Sequence, residues 1–138
     1  MKDIQNSPGS GIKVLNILLL ESTFKRFVEV LFEPNNVKND ININVSHQIE
    51  KNQIFVTEKI SFSMASGNSK IMEAEITMLG HFEKFGDAPI ALEDFAKVNG
   101  PAIIFPFIRE QLATQTLKAG IGQIILPPIN FVKLSEQK

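Results

Sequence analysis

The sequence predicts an α+β domain: a four-stranded antiparallel β-sheet meander followed by two C-terminal helices packed on one face. Three observations carry that expectation. Between Ile41 and Met78, apolar and polar residues alternate with a period of two, in segments separated by short turns. Between Ile104 and Leu117 the apolar spacing lengthens to the helical period. Strands come first and helices last, the order of a sheet covered on one face.

Residues 1–10 (MKDIQNSPGS) read as a loose tail. Ile12 to Leu20 is apolar apart from Lys13 and Asn16, and Lys2 lies upstream, so the run has the outline of a signal peptide. It is much shorter than a membrane span, however, and Glu21, Ser22, Thr23 and Phe24 provide no small-residue cleavage pattern. It is therefore read as a buried strand, Leu15 to Phe32, with a break near Glu21–Ser22 and an end at Glu33-Pro34-Asn35-Asn36. In the second strand Ile41, Ile43, Val45, His47 and Ile49 alternate with Asn42, Asn44, Ser46, Gln48 and Glu50. Lys51-Asn52 makes a turn. A third strand, Ile54 to Ala65, sets Ile54, Val56, Ile60, Phe62 and Met64 in phase and Glu58 out of it. Ser66-Gly67-Asn68-Ser69 is a hairpin loop. In the fourth strand Met72, Ala74, Ile76 and Met78 oppose Glu73, Glu75 and Thr77, and the strand runs on to Phe82.

Gly86-Asp87-Ala88-Pro89 stops the strand pattern, and Ile90 to Val98 reads as a short helix. A longer helix starts at Gly100-Pro101, where a missing N–H is harmless. Its apolar stripe is Ile104, Phe107, Ile108, Leu112 and Leu117, and Pro106 predicts a kink or a late start. Gly120 and Gly122 end it. Pro127 and Pro128 keep Ile124 to Phe131 extended. No internal repeat or linker divides the 138 residues, so a single domain spans 1–138.

Composition narrows the function classes. A hydrophobic content of 43% with 21% charged residues is that of a globular chain. A net charge of −1, with no basic stripe interleaved with aromatics, argues against nucleic-acid binding. The absence of cysteine removes disulfides and thiolate zinc sites. His47 and His81 lie in strands without a Cys, Asp or Glu at ligand spacing, and read as strand-face residues. Glu73 and Glu75 share a solvated face with no apolar pocket to split their acidities. Arg109-Glu110 reads as a surface ion pair or a tie between subunits. No nucleophile elbow, phosphate loop or dinucleotide fingerprint is present. The chain reads as a non-enzyme with no cofactor and no metal.

Apolar surface is what remains. Leu15 to Leu20 and Phe24 to Phe32 lack a consistent polar face, and two helices cover only one side of a sheet. That excess points to a homo-oligomer that also keeps a greasy groove. Eleven phenylalanines without tyrosine or tryptophan suit such surfaces. Two other classes remain open on the residues alone: a small apolar-ligand carrier with a closed pocket, and a structural dimer or scaffold without a groove.

PAIIFPFIRE (Pro101 to Glu110), the helix and glycine break after it, and ILPPINF (Ile125 to Phe131) together resemble the SecB family of bacterial protein-export chaperones. From Val14 to Phe85 the resemblance is a strand pattern with scattered identities. The resemblance implies a cytosolic homotetramer, a dimer of dimers, that holds unfolded preproteins in long hydrophobic grooves without ATP and passes them to the SecA ATPase. It implies a groove lined by Ile41, Ile43 and Val45, with Phe82 and Phe131 as further groove residues. It also implies a SecA contact at Glu21 and Glu75. Lys25 stands where the family often has a further acidic residue, Glu73 where an apolar one would flank Glu75, and the last residues, SEQK, carry no acidic run. General chaperoning of unfolded chains is thus the stronger implication, and a SecB-like chaperone dedicated to one partner, such as an antitoxin, is a variant of it. No direct membrane insertion is expected.

Overall fold

The computed structural model describes residues 11–27, 36–87 and 89–137. The expected tail, the end of the first expected strand beyond residue 27 and most of its closing turn lie outside these residues. β2 (Val37–Glu50), β3 (Gln53–Ser66) and β4 (Ser69–Phe85) are joined by two-residue turns at Lys51–Asn52 and Gly67–Asn68. Connections this short oblige neighbouring strands to pair antiparallel. Lys51 and Gly67 take the positive φ angles, 56° and 61°, that such turns use.

β1 (Gly11–Arg26) pairs antiparallel with β4, giving a four-stranded sheet in the order β1-β4-β3-β2. The expected antiparallel sheet is present, but the meander covers only β2, β3 and β4. Residues 27–36 separate β1 from β2, so no tight turn ties β1 to its sequence neighbour.

Register explains why β1 has no clean alternation. Its pairing with β4 slips by one residue between Val14 and Asn16 and again between Leu19 and Glu21. Each extra residue reverses which parity faces the core. Ile12, Val14, Ile17, Leu19, Ser22 and Phe24 therefore share one face, and Lys13, Asn16, Leu18, Glu21, Thr23 and Lys25 the other.

One face of the sheet is covered. Ile54, Val56, Ile60, Phe62 and Met64 of β3 and Met72, Ala74, Ile76, Met78 and Phe82 of β4 all point to it and are buried. Each large apolar side chain enclosed there contributes roughly 1.5–3 kcal/mol. Glu58 occupies the same inward phase and is buried with them. The expectation that Glu58 lies out of phase is corrected: two residues from Val56 and from Ile60, it shares their inward parity.

The cover is a helical run. α1 (Leu92–Asp94) continues through a π-helical turn, Phe95–Asn99, into α2 (Gly100–Lys118), with right-handed backbone at Asp94, Asn99 and Gly100. The Gly100 N–H donates to the Phe95 carbonyl, the wide spacing of a π turn. Pro101 follows, and its missing N–H cannot continue the ordinary ladder there. The expected separate helix at 90–98 is thus the first part of one longer run. Gly80 lets α2 come close: a Cβ at that position would stand 2.8 Å from the Ile104 side chain and 2.7 Å from Phe82.

Two expectations for α2 are corrected. The helix does not start late at Pro106 but runs from Gly100 through it to Lys118. Pro106 is exposed and so is Ala102, whose carbonyl Pro106 leaves without its helical donor, so water reaches that carbonyl. Phe107 and Leu117 do not belong to the inward stripe, which is Ile104, Phe105, Ile108, Leu112, Ala113 and Thr116. They are 49% and 59% exposed and lie with Ile103 on an outward stripe. The helix is therefore apolar on two sides, a pattern that a single 3.6-residue period conflates.

Gly120, at φ 75°, closes α2, and the Ile121 N–H donates back to the Thr116 carbonyl at 3.1 Å. The Thr116 hydroxyl donates to the Leu112 carbonyl and accepts from the Ile124 N–H at 3.0 Å, fixing the chain's return. The arm stays irregular through the two prolines, as expected, and then forms α3 (Phe131–Glu136). Asn130 caps it, its side-chain oxygen accepting from the Lys133 N–H.

Candidate functional site

The sheet's outer edge at β2 and the helical cover leave a cleft of about 310 Å³ between them. Ile43, Val45 and His47 project into it from β2, Lys97 from the π turn, and Leu134 and Gln137 from the C-terminal end. Alternation puts the three β2 side chains on one face, and register aligns them with Ile60, Glu58 and Val56 of β3. Ile41, 37% exposed, extends the row beyond the cleft. Among the described residues the outer edge of β2 faces no other strand, so its outward backbone groups beside this row are open to pairing.

The rim carries one polar tie. His47 Nε2 lies 3.2 Å from Glu93 Oε1, and Lys97 Nζ lies 3.8 Å from the same oxygen. These contacts join β2 to the helical run. No local pattern points to the His47–Glu93 pair, because its members are remote in the chain and a strand histidine resembles any other.

Phe82 and Phe131 are placed elsewhere than at an open groove. Phe82 is fully enclosed, edge-on to Phe95 at 5.0 Å, and Phe131 packs edge-on to Phe105 at 5.7 Å with 5% of its surface exposed. Phe82 ties β4 to the π turn, and Phe131 ties the C-terminal arm to α2. Their phase and aromatic character suit a core as well as they suit a groove.

Beneath Val45 lies Glu58, its cross-strand partner, with Met78 on the other side. It is 0% exposed, and among the described residues neither carboxyl oxygen has a hydrogen-bond partner. Burial pushes this carboxyl up from its ordinary 4.5 to about 8, so at neutral pH it is mostly the uncharged acid.

The uncovered face has the opposite character. Glu21 and Glu75 both lie on it, exposed, with Glu21 paired across to Thr77 and Glu75 to Thr23. They are diagonal neighbours on adjacent strands, roughly 7–8 Å apart at the backbone. Lys59 Nζ sits 3.5 Å from Glu75, and the Ser61 hydroxyl 3.4 Å from it. Glu73, opposite Lys25, is hydrogen-bonded by Lys70 at 2.8 Å, and this bond with the neighbouring positive charges holds its carboxyl below the usual range. Glu73, Glu75, Lys70 and Ser61, with Thr23, Asp40 and Asn42, line a shallow polar depression. Further along the face His81 stacks on Phe55 at 4.3 Å and hydrogen-bonds Gln53 at 2.6 Å, and Gln53 in turn donates to Glu83.

Among the described residues no group of three or more His, Cys, Asp or Glu is placed to hold a metal ion. No described helix is long and apolar enough to cross a membrane.

A four-stranded antiparallel sheet lies under C-terminal helices, with a cleft at its edge that sets the apolar Ile43, Val45 and Leu134 among polar side chains. Residues 23–138 match the family model described as preprotein translocase subunit SecB, and the chain belongs to the SecB family. It is 30% identical over 98 residues to the protein-export protein SecB of Rickettsia bellii, an alignment covering 71% of this chain and 64% of that one. An uncharacterized protein of Methanocaldococcus jannaschii is 31% identical over 96 residues, 65% of this chain and 62% of its own. The chain thus spans less than two thirds of the length of these curated relatives. Among solved structures, a SecB-like chaperone of Mycobacterium tuberculosis, in complex with a ChAD peptide from the HigA1 antitoxin, superposes with a TM-score of 0.71. It is 15% identical, over 86% of this chain and 90% of that one, and so shares the fold.

Proposed function

We propose that this protein is an ATP-independent chaperone that holds unfolded segments of client chains along the β2 edge and its cleft. The row Ile41, Ile43 and Val45, beside an unpaired strand edge, is the observation that carries this reading. An extended client segment offers alternate apolar side chains and unsatisfied backbone, and this edge offers the complement of both. Many such weak contacts on one client give avidity with ready release. Phe82 and Phe131 would join the groove only with the cover displaced. Family membership supports the chaperone reading, and nothing in the site calls for an enzymatic step.

Preprotein export through SecA is the recipient that the family suggests, with Glu21 and Glu75 as the docking carboxylates. Their convergence on one exposed face supports it, although Lys25, Lys59 and Lys70 offset much of the negative charge there. A chaperone dedicated to one partner is the second reading, favoured by the fold shared with the antitoxin-bound chaperone. A small-ligand carrier is less well supported, because the cleft opens to solvent between Lys97 and Gln137.

We infer a cytoplasmic homo-oligomer, a dimer of dimers. β1 is an edge strand with Leu15, Leu18, Leu19 and Leu20 exposed, and α2 has its outward stripe of Ile103, Phe107 and Leu117. These surfaces are too apolar to remain bare and lie away from the cleft. Light scattering gives the assembly size directly.

Titration calorimetry against one preprotein, unfolded and then folded, tests the main reading. We expect binding of the unfolded form only, with a negative heat-capacity change, weakened at least tenfold by Val45→Glu. Indifference to both forms ends the general-chaperone reading and leaves the dedicated partner.

A further inference from the structure

Glu58 has no role in the reading above, and it is the least expected residue of the covered face. An apolar side chain would fill its place, between Val45 and Met78, without stranding any polar atom. Instead a carboxyl group stands there, fully enclosed, with both oxygens unpartnered. The elements that close over β2 and β3 are the π turn, α2 over β3, and α3, which packs against the π turn. The π turn and α3 are the lightly held part: α3 has six residues, and the one side-chain ion contact joining β2 to the helical run among the described residues is His47–Glu93.

We propose that the Glu58 carboxyl is a proton-linked latch buried beside the cleft: protonated, it lets the π turn and α3 close on β2 and β3, and losing its proton drives them open. The proposal rests on the groove reading for its purpose, since an opening cover would bare Val45 and bring Phe82 and Phe131 towards the client. Its test does not depend on that reading.

The surroundings offer the ionised form nothing. From β2 the nearest titratable group on this face is His47, already engaged with Glu93. α1 carries Glu93 and Asp94, and the π turn carries Lys97, directed to Glu93. β4 presents only Ile76, Met78 and Gly80 there. The charged residues of α2 are Arg109, whose guanidinium lies over the Phe105 ring, Glu110 and Lys118, and those of α3 are the exposed Lys133 and Glu136. No salt bridge among the described residues reaches Glu58.

The sign follows from linkage. With the cover open, Glu58 meets water and titrates at its ordinary 4.5, whereas closed it titrates near 8. Between these values the open form releases a proton that the closed form keeps, so rising pH favours opening and the effect levels off above about 8.

Hydrogen exchange by mass spectrometry on the full chain tests this at pH 5.5, 6.5 and 7.5. Comparing wild type with Glu58→Gln at each pH cancels the intrinsic pH dependence of exchange. We expect opening of residues 92–99 and 131–136 in the wild type to gain up to about tenfold per pH unit over the variant. Identical pH profiles in the two proteins overturn the latch. Should Glu58→Gln fail to fold, carbon-13 NMR titration of the wild-type Glu58 carboxyl decides, and a midpoint in the ordinary surface range overturns the proposal. A protein that shows the exchange difference but binds no unfolded preprotein at any of these pH values keeps the latch and loses the chaperone reading.

Discussion

On one face of the sheet β3 and β4 present Ile54, Val56, Ile60, Ile76 and Phe82, each at most 1% exposed, under a helical cover. On the other face the alternate residues of the same two strands are Phe55, Thr57, Lys59, Ser61, Glu73, Glu75 and His81, tied by ion pairs and side-chain hydrogen bonds. Each face also holds acidic side chains, and the two environments treat them oppositely. Glu75 keeps company with Lys59, while Glu58, a few residues away in β3 but turned inward, has no partner and is driven towards its neutral form. The backbone is common to both, so the contrast lies in what each side chain exchanges for water. Stability resides on the covered face, and the recognition proposed above falls to the uncovered face and the free edges.

The largest effects should come from opening space on the covered face. Ile104→Ala removes a fully buried side chain that packs over Gly80 and should lower unfolding stability by about 2–5 kcal/mol in urea denaturation. Filling space there should also hurt. Gly80→Val places a Cβ within 2.7–2.8 Å of Phe82 and Ile104, and we expect a loss of about 1–3 kcal/mol by the same measurement. A loss below about 0.5 kcal/mol for both would mean that α2 is not the element that secures the sheet.

Glu58 gives the next effect, and it depends on pH. Its folded-state acidity is weaker than in the unfolded chain, so the folded protein retains a proton that the unfolded protein has released. Stability should therefore fall as pH rises from about 4.5 towards 8, by up to about 1.4 kcal/mol per pH unit, and level off beyond. In Glu58→Gln this contribution to the slope should vanish. Urea midpoints across pH 5–8 compare the two proteins, and parallel curves would contradict the weakened acidity of Glu58.

These residues also show how far the molecule could be read from its chain. β2 and β3 were legible because their alternation is unbroken and their turn is two residues long. β1 was legible as an apolar strand but not in its facing, because two bulges change its phase, and no periodicity rule anticipates an inserted residue. The pairing of β1 with β4 is a long-range choice to which local pattern is blind. The second apolar stripe of α2 was folded into the first, since Phe107 adjoins Ile108 and differs only in direction. Of the candidate site, Ile43 and Val45 lie where alternation puts them, with Ile41 alongside. Glu58 carried a signal, a charge in an apolar phase, but phase alone does not distinguish a solvated gap from a buried acid.

The smallest effect should be the counterpart of the Glu58 change on the uncovered face. Glu75→Gln removes a charge whose partner, Lys59 Nζ, lies 3.5 Å away between two half-exposed side chains. Water already solvates both groups and salt screens them, so stability should change by less than about 0.5 kcal/mol. Docking is where the substitution should matter. If this face receives SecA, Glu75→Lys should weaken that association and Glu21→Lys should do likewise, while binding of unfolded preprotein at the β2 edge stays unchanged in both. Surface plasmon resonance with SecA and calorimetry with the preprotein separate the two losses. A variant that loses preprotein binding as well would show that the two faces are coupled, and the division of labour between them would have to be abandoned.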